Sequence, residues 1–335
     1  MVFELLKLLS DGKFHSGETL ASSLNVSRTA IWKMISRLRE FGLELHSVKG
    51  KGYRLQETLD LLDRESLLQN LPVAVRNKIG RLEIFPSILS TSSYMMQQAQ
   101  ARQLDLANKK VAICLAEQQT GGRGRRGRSW VSPFGHNLYL TLAREFNHGI
   151  SELEGLSLVV GLALIRVLRA RGYHDLGIKW PNDVLWQGRK LAGILIEISG
   201  DPTGFTQVMI GLGLNIRVAE SAMQEVEQAW VDLYTINQHL PERNVLAAAL
   251  LTEIIDVIES FEMTGFNSFR QEWDSFDVLK NFEVELLTGA AGAGPIVGKV
   301  LGVDAHGALQ LETANGIETF HGGEISPRMR KHANP

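Results

Sequence analysis

Apolar residues at Val2, Leu5, Leu6 and Leu9 recur at the spacing of one helical face, and Asp11-Gly12 then turns the chain. A short helix follows, capped by Ser16 and buried through Leu20 and Leu24, until Asn25 breaks it. Ser27 starts a third helix, in which Ile31, Ile35, Leu38 and Phe41 form an apolar stripe while Arg28, Thr29, Trp32, Lys33, Ser36 and Arg37 cover the other face. Two helices joined by a tight turn, the second basic outside, read as a helix-turn-helix. After Gly42 the run LELHSVKGKGYRL alternates and turns at Gly50-Lys51-Gly52, as the wing of a winged helix would, with Lys49 and Lys51 at its tip. The competing reading is a small helical packing domain whose charges are merely solvated.

A polar connector near residues 56 to 66 leads into a mixed pattern. LEIFPSI, VAICLAEQQ and NLYLTLA read as strands, SLVVGLALIRVLRARG as a long helix, and KLAGILIEI and QVMIGLGLNI as two further strands. This is not the regular alternation of a doubly wound sheet, so the expected class is α+β with a mixed sheet. Beyond about Phe276 short alternating runs return in FEVELL, PIVGKVLGV and ALQLET, with a hairpin signal at Asn315-Gly316, which predicts a small β-barrel. The pattern divides the chain into residues 1–62, 63–275 and 276–335.

Composition sharpens this picture in three places. The hydrophobic share of 44% and charged share of 21% are those of an ordinary globular protein, and the longest apolar stretch, roughly Leu156 to Leu168, is short of a bilayer span. With no cleavable leader pattern at the start, the expectation is a cytoplasmic protein without a membrane partner. The single cysteine, Cys114, lies in a strand-like run and excludes internal disulfides. The net charge of −2 hides an asymmetry: residues 1 to 55 carry nine Lys/Arg against five Asp/Glu, a net +4, leaving −6 for the remainder. A basic head on an acidic body points to a polyanion partner for the head.

The densest chemical signal is EQQTGGRGRRGRSW, residues 117 to 130, where Arg123, Arg125, Arg126 and Arg128 alternate with glycines directly after a strand. Glycines let backbone approach a ligand closely, and guanidinium groups pair with phosphate or carboxylate oxygens, so the loop suits an anionic ligand. Gly122, Gly124 and Gly127 satisfy G-x-G-x-x-G, but no helix begins there, which removes the dinucleotide fingerprint. No P-loop pattern occurs. An arginine-rich surface loop contacting nucleic acid stays open as an alternative. In a second cluster, KWPNDVLWQGRKLAGILIE, a strand ends at Lys179, Asn182 and Asp183 follow a proline turn, and Lys190 opens the next strand beside Ala192 and Gly193. These residues supply cations for phosphates, with an amide and a carboxylate suited to magnesium. An ordinary charged hairpin is the plain alternative.

GRGRRGRSW followed by SPFGHNLYL, KWPNDV, RKLAGIL and GLGLNI resembles the biotin–protein ligases, in order and over nearly the whole chain, and the head makes it similar to their bifunctional ligase/repressor branch. The resemblance implies a central domain like the class II synthetases and an SH3-like C-terminal barrel. It implies ATP-dependent formation of biotinyl-5′-AMP and transfer of biotin to the biotin carboxyl carrier protein of acetyl-CoA carboxylase, with biotin and ATP as substrates and Mg2+ as metal. It implies a homodimer promoted by the adenylate and bound to operator DNA. Ser90, Thr91, Ser92, Gln119, Gly122, Arg123, Arg125, Lys190, Gly193, Gly211 and Gly213 match biotin-site positions. Arg123, Arg125, Trp130, Lys179, Asn182, Asn215 and Trp230 match nucleotide-site positions, and plain core packing is the alternative for the two tryptophans. Arg125, Lys190 and Asp183 are the catalytic candidates, Asn182 or Asp183 the candidate protein oxygens for the metal, and Arg328 a further phosphate candidate. DNA contacts are expected from Ser27, Arg28, Thr29, Trp32, Lys33, Arg37, Lys49 and Lys51. Ser92 replaces a frequent family asparagine, and Trp32 a usually polar residue of the recognition helix. A ligase with a non-repressing head and a lipoate-type ligase are the alternatives.

Overall fold

The computed structural model describes residues 1–146, 149–200, 206–287, 295–322 and 326–329. Its head consists of α1 (Val2–Leu9), α2 (Gly17–Leu24), α3 (Arg28–Glu40), β1 (Leu45–Val48) and β2 (Gly52–Leu55). Ser16 and Ser27 accept hydrogen bonds from Thr19 N and Ala30 N, so both predicted caps form. Ile31, Met34, Ile35 and Leu38 are buried against α1 and α2, leaving the basic face of α3 outside. The wing is an antiparallel pair of β1 and β2, tied to the loop before α2 by mutual 2.9 Å hydrogen bonds of His15 and Tyr53. Gly52 has φ +98° and a Cβ there would lie 2.0 Å from the His15 carbonyl oxygen, so only glycine fits that crossing.

The middle of the chain carries α4 (Arg64–Asn70), α5 (Val73–Arg76), β3 (Ile79–Phe85), α6 (Thr91–Gln100), β4 (Val111–Ala116), β5 (Leu138–Phe146), α7 (Leu156–Arg169), β6 (Leu176–Lys179), β7 (Asp183–Trp186), β8 (Arg189–Gly200), β9 (Thr206–Leu214), α8 (Leu233–Asn237), α9 (Arg243–Thr264) and α10 (Arg270–Asp274). Seven strands form one sheet in the order β3-β4-β5-β9-β8-β7-β6, parallel between β3 and β4 and antiparallel elsewhere. This is the expected mixed sheet. β4 shows how the layers arise: Val111, Ile113 and Leu115 face the core under α7 and α9, while Ala112 and Cys114 face α6. Cys114 is fully buried there and burial pushes its thiol well up, so it packs as a small apolar group. Small residues on this side, Ala112, Cys114 and Ala143, let α6 approach the sheet and bring its N-terminus against β5 and β9.

The C-terminal part contributes β10 (Glu283–Leu287), β11 (Ile296–Val303), β12 (Leu309–Thr313), β13 (Gly316–Phe320) and β14 (Ser326–Met329). They form an antiparallel sheet in the order β13-β12-β11-β10-β14, without a closing β13–β14 pair among the described residues. Val284, Leu286, Val300, Leu309 and Leu311 continue the apolar core of the central sheet.

Two joints hold the parts together. At the first, Phe41 of the head stacks on Phe134 at 5.1 Å, and the buried Glu117 carboxylate pairs with Arg243 at 2.8 Å while accepting the Leu62 N–H at 2.5 Å. At the second, the chain after α10 runs along the edge strand β6, where Ile178 N donates to Phe276 O at 2.7 Å and Val278 N to Ile178 O at 3.2 Å. Asp277 sits in this seam. Its Oδ1 accepts the Leu279 N–H at 2.9 Å, and burial pushes its carboxyl up from 3.8 to about 6.

An unfolded Asp277 gives up its proton near 3.8, whereas the folded seam holds it until about 6. Stability contributed at this position is therefore lost as pH rises through that window and stays low above it. Asp277→Asn is expected to stabilise the chain by on the order of 2 kcal/mol near pH 8 and to have little effect near pH 4. Urea midpoints measured at both pH values check this, and an equal effect at the two would contradict it.

Candidate functional site

One cleft of about 1080 Å³ collects the loop after β4, the N-terminus of α6, the Lys179–Asp183 turn, the glycines of β8 and β9, and residues 223–230. Of the residues singled out from the sequence, Ser90, Thr91, Ser92, Gln119, Arg123, Arg125, Trp130, Lys179, Asn182, Asp183, Lys190, Gly193, Gly211, Gly213, Asn215 and Trp230 all line it. Gly122 does not. It is buried behind the loop, where its carbonyl accepts Trp130 N–H at 2.9 Å and a Cβ would meet Trp130 O at 2.4 Å. Arg328 falls on β14, and its side chain lies outside the described residues.

At one end the cleft is lined by hydroxyls. The Ser90 hydroxyl caps α6 by accepting Ser93 N–H at 3.3 Å. Thr141 donates to Thr91 Oγ1 at 2.8 Å, and Gln119 Oε1 accepts from both the Thr91 N–H (2.9 Å) and its hydroxyl (3.1 Å). Gln119 Nε2 then donates to Ser132 Oγ at 3.1 Å, and Ser132 donates to Trp130 O at 3.0 Å. With the Thr141 proton so committed, the 3.2 Å contact between Ser92 and Thr141 makes Ser92 the donor. This relay orients the Gln119 amide and leaves acceptor capacity on Ser92, which suits a neutral ligand head with N–H donors. Thr141 and Ser132 were missed in the sequence, although a lone hydroxyl inside the apolar run LYLTLA is a legible signal.

The floor is glycine. Gly193 pairs with Gly213 and Leu195 with Gly211 across β8 and β9. A Cβ at Gly213 would lie 2.5 Å from the Trp130 indole, one at Gly193 3.0 Å from it, and one at Gly211 2.7 Å from Ser92 Oγ. Trp130 thus lies flat on bare backbone, with Lys190 Nζ 5.3 Å above its ring.

At the other end lie the cations. The Gly122–Trp130 loop closes as a tight hairpin, with Gly124 N donating to Arg128 O at 2.7 Å, and no α-helix starts in it. Lys190 pairs with Asp183 at 2.8 Å, and Arg123 with Glu197 at 2.9 Å while donating to Ser93 Oγ at 3.2 Å. Arg125 donates to Asn182 Oδ1 at 3.1 Å and to the carbonyl of Gly322, just after β13. Burial pushes the Arg125 guanidinium down, and the Asp183 carboxylate opposes this. Among the described residues no group of three acidic, His or Cys side chains is gathered for a metal. Asn182 and Asp183 already serve cations, so the donor set fits a magnesium carried on substrate phosphates with few protein ligands.

Residues 217–231 cross the cleft. Lys190 N donates to Ala229 O at 2.8 Å and Val231 N to Lys190 O at 2.9 Å, which places half-buried Trp230 beside the lysine. Asn215 is 3% exposed and its amide donates to Val231 O at 3.1 Å, so it fastens this segment to β9. On the head, Arg28, Thr29, Trp32, Lys33, Arg37, Lys49 and Lys51 are all exposed, while the Ser27 hydroxyl is taken up by the cap of α3.

Gly213→Ala is expected to cost about 1–3 kcal/mol by overpacking against Trp130. In a Trp130→Ala background the same substitution should be nearly neutral. Denaturant unfolding of the four variants checks this, and an unchanged cost in that background would mean the contact is not the cause.

Family models match three stretches: "HTH domain" over residues 2–54, "Biotin/lipoate A/B protein ligase family" over 85–215 and "Biotin protein ligase C terminal domain" over 283–328. The bifunctional ligase/repressor BirA of Escherichia coli K12 is 39% identical over 325 residues, covering 97% of this chain and 96% of that protein. BirA of Bacillus subtilis 168 is 28% identical over 333 residues, covering 96% and 97%. Among solved structures, the biotin protein ligase of Aquifex aeolicus in complex with biotin and ATP matches with TM-score 0.60 and 26% identity, over 75% of this chain and all of that one.

Proposed function

The chain belongs to the family of bifunctional biotin–protein ligase/repressors, and from that premise we propose how its own residues divide the work. It is an ATP-dependent biotin–[acetyl-CoA-carboxylase] ligase with a DNA-binding repressor head; its protein substrate is a biotin carboxyl carrier protein. No helix among the described residues is long and apolar enough to cross a membrane. The cytoplasm, where carboxylase and DNA meet, is the proposed place of action.

The observation that carries the site assignment is one cleft in which a hydroxyl–amide pocket, a glycine floor and paired cations follow one another. The ureido head of biotin fits the Ser92, Thr91 and Gln119 end, because its N–H groups need acceptors and its carbonyl needs a donor. Its chain runs from the Ser92–Gly211 end along the Trp130 indole, which Gly193 and Gly213 seat on bare backbone. That brings the carboxylate to Arg123, Arg125 and Lys190, with ATP between these cations and Lys179, Asn182, Trp130 and Trp230.

Activation joins two anions: a biotin carboxylate oxygen bonds to the α-phosphorus, and the bond to the pyrophosphate leaving group breaks. Arg125, oriented by Asn182 and the Gly322 carbonyl, and Lys190, oriented by Asp183, offset the charge that builds up. Magnesium, when bound to the triphosphate, supplies further charge neutralisation. In transfer, the carrier lysine amine attacks the acyl carbon, AMP leaves from it, and Asp183 takes the amine proton. Residues 217–231 exclude water from the mixed anhydride in the interval.

We assign dimer formation to β8. This strand continues past its pairing with β7, which ends at Gly193, so among the described residues Leu195–Ser199 is paired only with β9 on one side. Such an edge adds a strand from a second copy readily. Sedimentation velocity with biotin and ATP should show a dimer; a monomer under those conditions would remove this assignment.

Lys190→Ala should lower pyrophosphate release from biotin and ATP by on the order of 10²–10³-fold. Asp183→Asn should slow transfer to the carrier by about 10²-fold more than it slows activation. Labelled-biotin assays of the two half-reactions check both, and full carrier labelling by Lys190→Ala would overturn the assigned site.

A further inference from the structure

Of the six tryptophans, five are buried or half-buried and one, Trp32, is 59% exposed. It stands on α3 in one row with Thr29 and Ser36, spaced three and then four residues apart. Arg28 borders this row on one side, Lys33 and Arg37 on the other, and the wing adds Lys49 and Lys51. Ser36 spends its hydroxyl proton on the Trp32 carbonyl at 3.2 Å. The middle of the face therefore offers an indole, a threonine and an acceptor oxygen, framed by cations. It holds no Arg, Asn or Gln, the side chains that make bidentate hydrogen bonds to guanine or adenine.

Resting on the reading of the head as DNA-binding, we propose that Trp32 is its sequence-determining residue and reads thymine by apolar contact with the C5-methyl group in the major groove. That methyl is the only apolar group the base edges present there, and an α-helix is the element that groove admits. The bordering Arg and Lys side chains take the phosphates on either side, which supplies affinity and register without sequence information. An indole kept in water on a cationic face gains by covering such methyls.

The test uses the full-length chain with biotin and ATP. A duplex is enriched from a random library, and its thymines are then replaced one at a time by uracil, which removes only the methyl. The wild-type chain should lose about fourfold in affinity for each contacted methyl removed. Trp32→Ala should bind the thymine duplex more weakly and be indifferent to uracil, with its salt dependence unchanged. Trp32→Phe should keep part of the methyl sensitivity. Trp32 lies outside the ligase cleft, so carrier labelling by all three proteins should be equal and reports their folding. Equal binding of thymine and uracil duplexes by the wild-type chain overturns the proposal, as does the same uracil loss in Trp32→Ala. So does a Trp32→Ala protein whose only defect is weaker self-association, since the indole then faces a second copy. If no duplex is enriched, the DNA-binding reading itself falls and this inference with it.

Discussion

Glu117, with no exposure, and Arg243, at 3%, meet at 2.8 Å where three stretches of chain cross. Two charges taken out of water are tolerated when they are paired and further hydrogen bonds offset the lost hydration. Here those further partners are main-chain groups. Glu117 accepts from Leu62 N, and Arg243 gives to the carbonyls of Asp60 and Asn137, each at 2.6 Å. The pair consequently fixes backbone position: the connector out of the head, the chain entering β5, and the start of α9 are set against one another. Glu117 is two residues before Gln119, and Asn137 accepts through Oδ1 from Ile216 and Arg217, where the segment crossing the cleft begins. Both walls of the cleft are thus referred to the point where the head is attached.

The cleft itself is a consequence of side-chain size. Ala112, Cys114 and Ala143 let α6 settle on the sheet, and the capped first turn of α6 then presents Ser90, Thr91 and Ser92 beside Thr141. Gly193, Gly211 and Gly213 keep the adjoining sheet surface bare, so Trp130 lies on backbone. Small residues on one face of β4, β5, β8 and β9 both position the polar pocket and seat the Trp130 indole next to it.

Legibility in the sequence follows how local each feature is. The head was readable because its caps, stripe and wing turn lie within a few residues of one another, and the glycine-arginine loop because its cations are contiguous. The order of the seven strands was not, since neighbours such as β5 and β9 are far apart in sequence and alternate identically. The 22-residue helix α9 passed without notice because Leu246, Leu250, Ile254 and Phe261, with Ala247, Leu251, Ile255 and Ile258, leave no clean polar face; it is covered nearly all round. Glu117 and Arg243 look like two ordinary charged residues until the fold joins them. Gly122 shows the opposite error: it belongs to the motif for closing the loop, with its backbone behind the cleft wall.

Three cations of the cleft carry partners: Lys190 has Asp183, Arg123 has Glu197, and Arg125 has Asn182 and a carbonyl. Several unpaired cations crowded into a half-buried site would repel one another and lower its stability. The acidic partners offset that repulsion, and acidic and neutral partners alike hold each side chain in one orientation. Asn182 and the Gly322 carbonyl fix the orientation of Arg125. Arg123 is half-exposed and bound to a carboxylate, so an anion must compete with Glu197 for it. Lys190 shares its charge with Asp183, and under the proposed reaction the same pair stabilises an anion in activation and receives a proton in transfer.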